Sequence, residues 1–414
     1  MSAGAPLPCA AGEPTERVGP GWVVRFNLAW IGVMVGFFGP LQILLPNKVA
    51  GIAPNDKEWV LGLVTSLGAV FSLAMTPVWG AVSDRTTSRF GRRLPWVVVG
   101  GVSGALCLLL EGAAQTVLLM VVGWCLVQGT LNAAWAALSA VVPDQVPTGQ
   151  RGSVAGWLGL AQLLGVLLAV GLATVVSGDA GFVLCAVVLL VALLPFVLGR
   201  QDTAVPPGAA PPWSWREFVR GFWISPRRHP DFGWAWLTRF LMNFGNSTVM
   251  VYLLYFLRDA LDRRHAELDV LIIGAVNAAG VVTAVVVAGR WSDRLGRRKV
   301  FVTAAGLVMA LASFVLAGLQ TWTATLVVAY VLGIGFGTYT SVDFALITQV
   351  LPRSTARGKD MGVLNIANAL PQVVAPAIGA AVITSLGGYR GLFAVAGGVG
   401  LLGAALVRRI SSVQ

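Results

Sequence analysis

Long apolar runs broken by short polar loops recur twelve times along this chain, at about 22–45, 58–80, 95–113, 116–142, 153–176, 180–199, 233–257, 268–289, 299–319, 322–350, 360–386 and 389–408. A helix rises 1.5 Å per residue, so each run is long enough to cross about 30 Å of hydrocarbon. Inside lipid every backbone N–H and C=O must be satisfied within the segment, which makes each run a helix. The longest polar interval, 200–232, divides the runs six and six. The pattern therefore predicts an all-α integral membrane chain of twelve transmembrane helices in two six-helix bundles, 22–199 and 233–408. Residues 1–21, with Glu13, Glu16 and Arg17 among Gly and Pro, read as a disordered cytoplasmic tail and not a cleaved leader. Residues 409–414 form a second tail. The linker opens on the proline-rich stretch 204–213. In the segment that follows, Trp215, Phe218, Phe222 and Trp223 share one helical face and Arg216 and Arg220 another, which predicts an interfacial helix lying on the membrane.

Composition agrees with lipid as the solvent. Apolar residues make up 56% of the chain, charged residues 11%, and the mean hydropathy is +0.78; a soluble domain carries about 25% charge. The net charge of +11 does not imply a nucleic-acid partner, because the basic residues are confined to particular loops. With both termini inside, twenty Lys and Arg fall on the cytoplasmic side and six on the other (Lys48, Lys57, Arg258, Arg263, Arg264 and Arg390), which orients the chain. Arginine far outnumbers lysine, a bias of GC-rich bacterial genomes, so the expected location is a bacterial inner membrane. Cys107, Cys125 and Cys185 lie inside apolar runs and Cys9 in the tail, so they read as small core residues. The two histidines, His229 and His265, are both in loops, and no metal or cofactor is expected.

One loop element appears twice. Gly80-Ala-Val-Ser-Asp84-Arg85, continuing through Arg89 to Gly91-Arg92-Arg93, returns in shorter form as Gly289-Arg-Trp-Ser-Asp293-Arg294-Leu-Gly296-Arg297-Arg298. The correspondence carries Pro147 onto Pro352 and Arg151-Gly152 onto Arg357-Gly358, so the halves are related by duplication. The glycines remove a side chain where a helix end must approach its neighbour, and the aspartates place a carboxylate where it can face the positive start of a helix in the other half. With the flanking arginines they form a charge cluster suited to a gate. Anchoring by positive charge alone accounts for the arginines but not for the paired aspartates and glycines.

Twelve spans in two related halves, with Gly-x-x-x-Asp-Arg-x-Gly-Arg-Arg after the second span of each, resemble the major facilitator superfamily. The longer first copy, from Ser83-Asp84-Arg85 to Pro95-Trp96, together with 343–352 and 362–372, resembles more narrowly the glycoside-pentoside-hexuronide:cation symporters and plant sucrose carriers. The resemblance implies that Asp84 meets the start of span 11 near Gly358 and Asp293 the start of span 5 near Gly152. It also implies that spans 1, 4, 7 and 10 line a central cavity.

Ionisable residues within spans cost roughly 2.5–3.5 kcal/mol to insert and mark function. Arg239 in span 7 and Asp343 in span 10 lie at similar depth, about 9 Å from the cytoplasmic end. They form a candidate coupling pair, because a carboxylate beside an arginine stays ionised until a proton or a substrate competes; a permanent structural ion pair is the other reading. The candidate substrate contacts are Asn27 and Gln42 in span 1, Gln128, Asn132 and Trp135 in span 4, Asn243 and Asn246 in span 7, and Tyr339 in span 10. Amides with an aromatic platform suit a polyhydroxylated ligand, although each amide also fits a helix–helix hydrogen bond. Asn365, Asn368 and Gln372 read as interdomain hinge or interface residues. The expected activity is secondary active transport by alternating access, proton-coupled sugar symport first and proton-coupled drug or metabolite export second. Against export, span 5 reads Gly156-Trp-Leu-Gly-Leu-Ala-Gln-Leu-Leu-Gly165, without the Gly-Pro-x-x-Gly-Gly element usual in the superfamily's drug antiporters. No His-Glu-x-x-His or paired carboxylates within a span point to an enzyme. The expected partners are a small-molecule substrate, protons and the bilayer, with the chain a monomer.

Overall fold

The computed structural model of the chain describes residues 15–199, 230–295, 298–350 and 357–410, with the side chains at 148, 285–295, 298, 343–350 and 357–365 left aside. Twelve helices long and apolar enough to cross a membrane follow in order. We label them α1 (Pro20–Ile52), α2 (Lys57–Arg85), α3 (Leu94–Ala113), α4 (Val117–Gln145), α5 (Thr148–Val175), α6 (Asp179–Leu198), α7 (Pro230–Asp259), α8 (Ala266–Leu295), α9 (Arg298–Gly318), α10 (Trp322–Val350), α11 (Arg357–Ser385) and α12 (Gly388–Leu406). The twelve predicted spans map onto these one to one. The predicted amphipathic linker helix and most of the N-terminal tail lie outside the described residues.

Short connections make successive helices antiparallel, so the duplicated loops fall at one end of the molecule, here called the basic face, and the α1–α2 and α7–α8 turns at the opposite end, the far face. In the N-terminal half α1 packs on α5 and α6, and α4 on α2 and α3. In the C-terminal half α7 packs on α11 and α12, and α10 on α8 and α9. The halves meet along two seams, α2 against α11 and α5 against α8. Among the described residues α1 and α7 are the most enclosed of the spans. Large apolar side chains such as Leu106, Leu110, Leu118, Leu164, Leu194 and Leu311 are exposed on the outside of the bundles. A water-soluble protein would bury them; here they form the belt that lipid wets.

Small residues bring the helices close within each half. A Cβ at Gly333 would stand 2.1 Å from the Asn277 carbonyl oxygen and one at Gly337 2.7 Å from that of Val281, so α10 lies directly on the backbone of α8. Gly333-Ile-Gly335-Phe-Gly337 is thus a packing strip and not a phosphate loop. The first helix is interrupted by a π-turn, Pro40–Leu44, before running on to Ile52. The extra residue rotates everything beyond it about the axis, and Gln42 falls within this turn.

Candidate functional site

At the basic face the first loop element folds back on its own half. Gly91 holds φ +93°, a conformation that favours glycine, and turns the chain into α3. Arg93, the residue before α3, is buried and reaches in three directions. Its Nη2 lies 2.6 Å from Asp84 Oδ1, its Nε donates to Asp144 Oδ2 at 2.7 Å, and its Nη1 donates to Ser83 Oγ at 2.6 Å. Arg92 Nη2 pairs with the other oxygen of Asp144, also at 2.7 Å. Burial works against the Arg93 charge, but Asp144 and Asp84 outweigh it and hold the guanidinium more firmly protonated than usual. Arg151 closes the end of α4, donating to the Val146 and Pro143 carbonyls at 3.0 and 3.1 Å. Arg85 donates to Ala81 O at 3.2 Å, and the Arg89 guanidinium stands over the Phe90 ring.

Asp84 makes its described ion pair with Arg93, the last residue of its own loop, and a Cβ added at Gly80 would meet nothing within 4 Å; the side chains at the start of α11, the partner that the resemblance implies, lie outside the described residues. Asp144, at the end of α4, is the anchor that sequence reasoning missed. The side chains of Asp293, Arg294, Arg298 and Arg357, like Gly289, Gly296 and Arg297, fall outside what is described.

At the far face several bonds run between halves. Lys57 Nζ on α2 pairs with Asp259 Oδ1 on α7 at 2.7 Å, and Tyr389 on α12 donates to Asp259 Oδ2 at 2.7 Å. Tyr255 Oη donates to the Pro46 carbonyl of α1 at 2.8 Å. Tyr252 Oη donates to Pro376 O at 2.6 Å, with Glu58 O of α2 at 3.2 Å. Asn47 Nδ2 reaches Glu267 Oε1 at 3.4 Å, Arg258 pairs with the same oxygen, and Thr174 donates to Glu267 O at 3.3 Å. None of these residues was singled out in sequence, because ordinary loop charges look the same.

Between the two faces lies the candidate binding region. Arg239 Nε donates to Asn368 Oδ1 at 2.6 Å, and Asn243 Nδ2 reaches the same oxygen at 3.3 Å and the Arg239 carbonyl at 2.9 Å. Asn368 thus ties α11 to α7 within one half. Asp343 lies on α10, its side chain outside what is described. In the other half Trp135 meets Trp30 edge-on at 4.8 Å and Phe37 at 5.9 Å. Asn27 donates to Val23 O at 2.8 Å, leaving its Oδ1 without a partner. Gln42, Gln128 and Asn246 are half-buried, and Tyr339 is buried beside Phe336. Asn132 is taken up by packing: its amide bonds Ser72 at 2.8 Å and the Gln128 carbonyl at 2.6 Å and accepts from Thr76 at 2.8 Å. It fastens α4 to α2, with both amide hydrogens taken up by these bonds. Among the described residues no cluster of three His, Cys, Asp or Glu comes together as a metal site.

Comparison with known proteins agrees with this architecture. The chain is 24% identical over 396 residues to multidrug resistance protein MdtG of Citrobacter koseri, covering 92% of this chain and 94% of the other. It is 35% identical over 114 residues to multidrug resistance protein MdtL of Shewanella oneidensis, a match that spans only 28% of either chain. It is 26% identical over 132 residues to the general alpha-glucoside permease of Schizosaccharomyces pombe, 27% of this chain and 24% of the other. Among solved structures, nucleoside transporter NupG superposes with a TM-score of 0.74 over 94% of this chain and 99% of that one, at 12% identity, which speaks to the fold. The model of the Major Facilitator Superfamily matches residues 26–282 and 264–412, and the chain belongs to that family of transporters.

Proposed function

We propose that the protein is a proton-coupled symporter of a polyhydroxylated solute, a sugar or glycoside, working by alternating access with the basic face towards the cytoplasm. The observation that carries this reading is the cluster of Arg239, Asn243 and Asn368, which stands in the half that also holds Asp343. A guanidinium and neighbouring amides together offer the donors and acceptors that a hydroxyl-rich ligand needs. Trp135, which is half-buried, offers a flat apolar face on which the C–H side of a sugar ring packs. In this reading Asp343 carries the coupling proton and Arg239 reports its loss to the ligand site. The far-face bonds close the outer side in the conformer described here.

Export of a drug or metabolite is the second reading, and the length of the match to MdtG favours it. One experiment separates the two. In proteoliposomes with an imposed pH gradient, a labelled sugar should accumulate through the native chain. Asp343→Asn should abolish that accumulation while leaving solute exchange, which needs no net proton movement. Accumulation that survives Asp343→Asn would remove the coupling role, and proton-driven movement of a lipophilic cation with no sugar uptake would establish the second reading.

A further inference from the structure

Glu111 lies near the far-face end of α3, and no step proposed above uses it. It is 0% exposed, and neither carboxyl oxygen has a hydrogen-bond partner. The carboxyl group presses on the bare backbone of α4: a Cβ at Gly123 would fall 2.2 Å from Oε2. An ionised carboxylate so placed would cost several kcal/mol, so in this conformer the group holds its proton.

A cation that could serve it stands next door. Lys48 Nζ on α1 donates to the carbonyl of Gly112, the residue after Glu111, and pairs with Asp179 Oδ1 on α6 at 2.7 Å. The Lys48 side chain is 10% exposed, whereas that of Asp179 is 65% exposed and readily solvated once released. Among the described residues Cys125, on α4, also faces Glu111. Lys48 is also the next residue after two that close the far face: Pro46 accepts from Tyr255 and Asn47 bonds Glu267. One turn of α1 therefore touches the opposing half with Pro46 and Asn47 and the surroundings of Glu111 with Lys48.

We propose that Glu111 is a proton-binding site whose occupancy locks the far face through Lys48. With the far face open, the carboxyl group exchanges its proton with the outer solution and, when ionised, draws Lys48 Nζ from Asp179 and Gly112 onto itself. Uptake of one proton neutralises Glu111, returns Lys48 to Asp179, and lets Pro46 and Asn47 dock on α7 and α8. Closure then takes up one proton and acid favours it. The site is separate from Asp343 and independent of which solute is carried.

The test reads protonation directly and needs no transport. Reconstituted protein is titrated from acid to alkaline pH by infrared spectroscopy, and labelling of Ala50→Cys by an impermeant maleimide is followed from the far side after the native cysteines have been replaced. A protonated-carboxyl band absent from Glu111→Gln should disappear as pH rises, and labelling should increase over the same range, by up to about tenfold per pH unit for one linked proton. In Glu111→Gln labelling should stay at the closed level throughout. Lys48→Met, which keeps the carboxyl group, should shift loss of the band upward by roughly one pH unit, and it preserves the test if the glutamine variant does not fold. A band that persists at every pH, no band at acid pH, a midpoint indifferent to Lys48→Met, or a labelling profile unchanged by Glu111→Gln would each overturn the proposal.

Discussion

Both faces of the molecule are tied by charge, yet the ties do different work. At the basic face Arg93 gathers Asp84, Asp144 and Ser83, all from its own half. At the far face Lys57–Asp259, Tyr255–Pro46 and Asn47–Glu267 each join one half to the other. A bond within a rigid body survives when that body moves, so it contributes to the stability of the bundle. A bond between bodies exists only while they touch, so it contributes to the balance between conformers. Similar chemistry at similar distances thus supports opposite functions, and topology alone decides which.

The comparison breaks first at Arg93. Its replacement in Arg93→Ala removes one of the two counter-charges of Asp144 and the described partner of Asp84, at a cost of roughly 3 kcal/mol once the partial exposure of both acids is allowed for. A fall in thermal midpoint in detergent, with labelling at the far face unchanged, is the expected outcome; a changed labelling pattern at unchanged stability would show that the cluster also acts between halves. The reverse holds for the far-face hydroxyls. Tyr255→Phe deletes a buried hydrogen bond between halves worth about 1.5 kcal/mol, and a shift of about tenfold towards the far-open form follows. Distance measurements between spin labels on α1 and α7 would read it, and an unmoved distribution would refute the lock. Smallest is Asp259→Asn. The Lys57 pair is partly solvated, so the neutral variant should shift the same balance by about fivefold, roughly 1 kcal/mol, and salt should weaken the native pair in parallel. An equal loss in thermal midpoint would instead mark this bond as part of the bundle.

The fold was legible because membrane solvation writes itself into contiguous sequence: twelve apolar runs had to be twelve helices, and the duplicated loop marked their division. The site was legible only in part. Arg239 stood out as a charge within a span, but its partner Asn368 lies 129 positions away and carries no mark that separates it from Asn365 or Gln372. Asn132 looked like a ligand contact because an amide on α4 cannot reveal whether Ser72 and Thr76 stand opposite it. Glu111 passed unnoticed for a related reason. An acid near the end of a run reads as wetted by the interface, and only packing against Gly123 shows that it is dry.

The glycine strip on α10 has a consequence for how such a chain can diversify. Where Gly333 and Gly337 press on the backbone of α8, any side chain larger than hydrogen displaces a helix, so these positions are closed to change. Residues that meet the solute in the proposed reading need carry no such constraint. Selection can therefore rewrite what the protein accepts while leaving untouched the machinery that moves it, much as a lathe keeps its bed when its chuck is replaced.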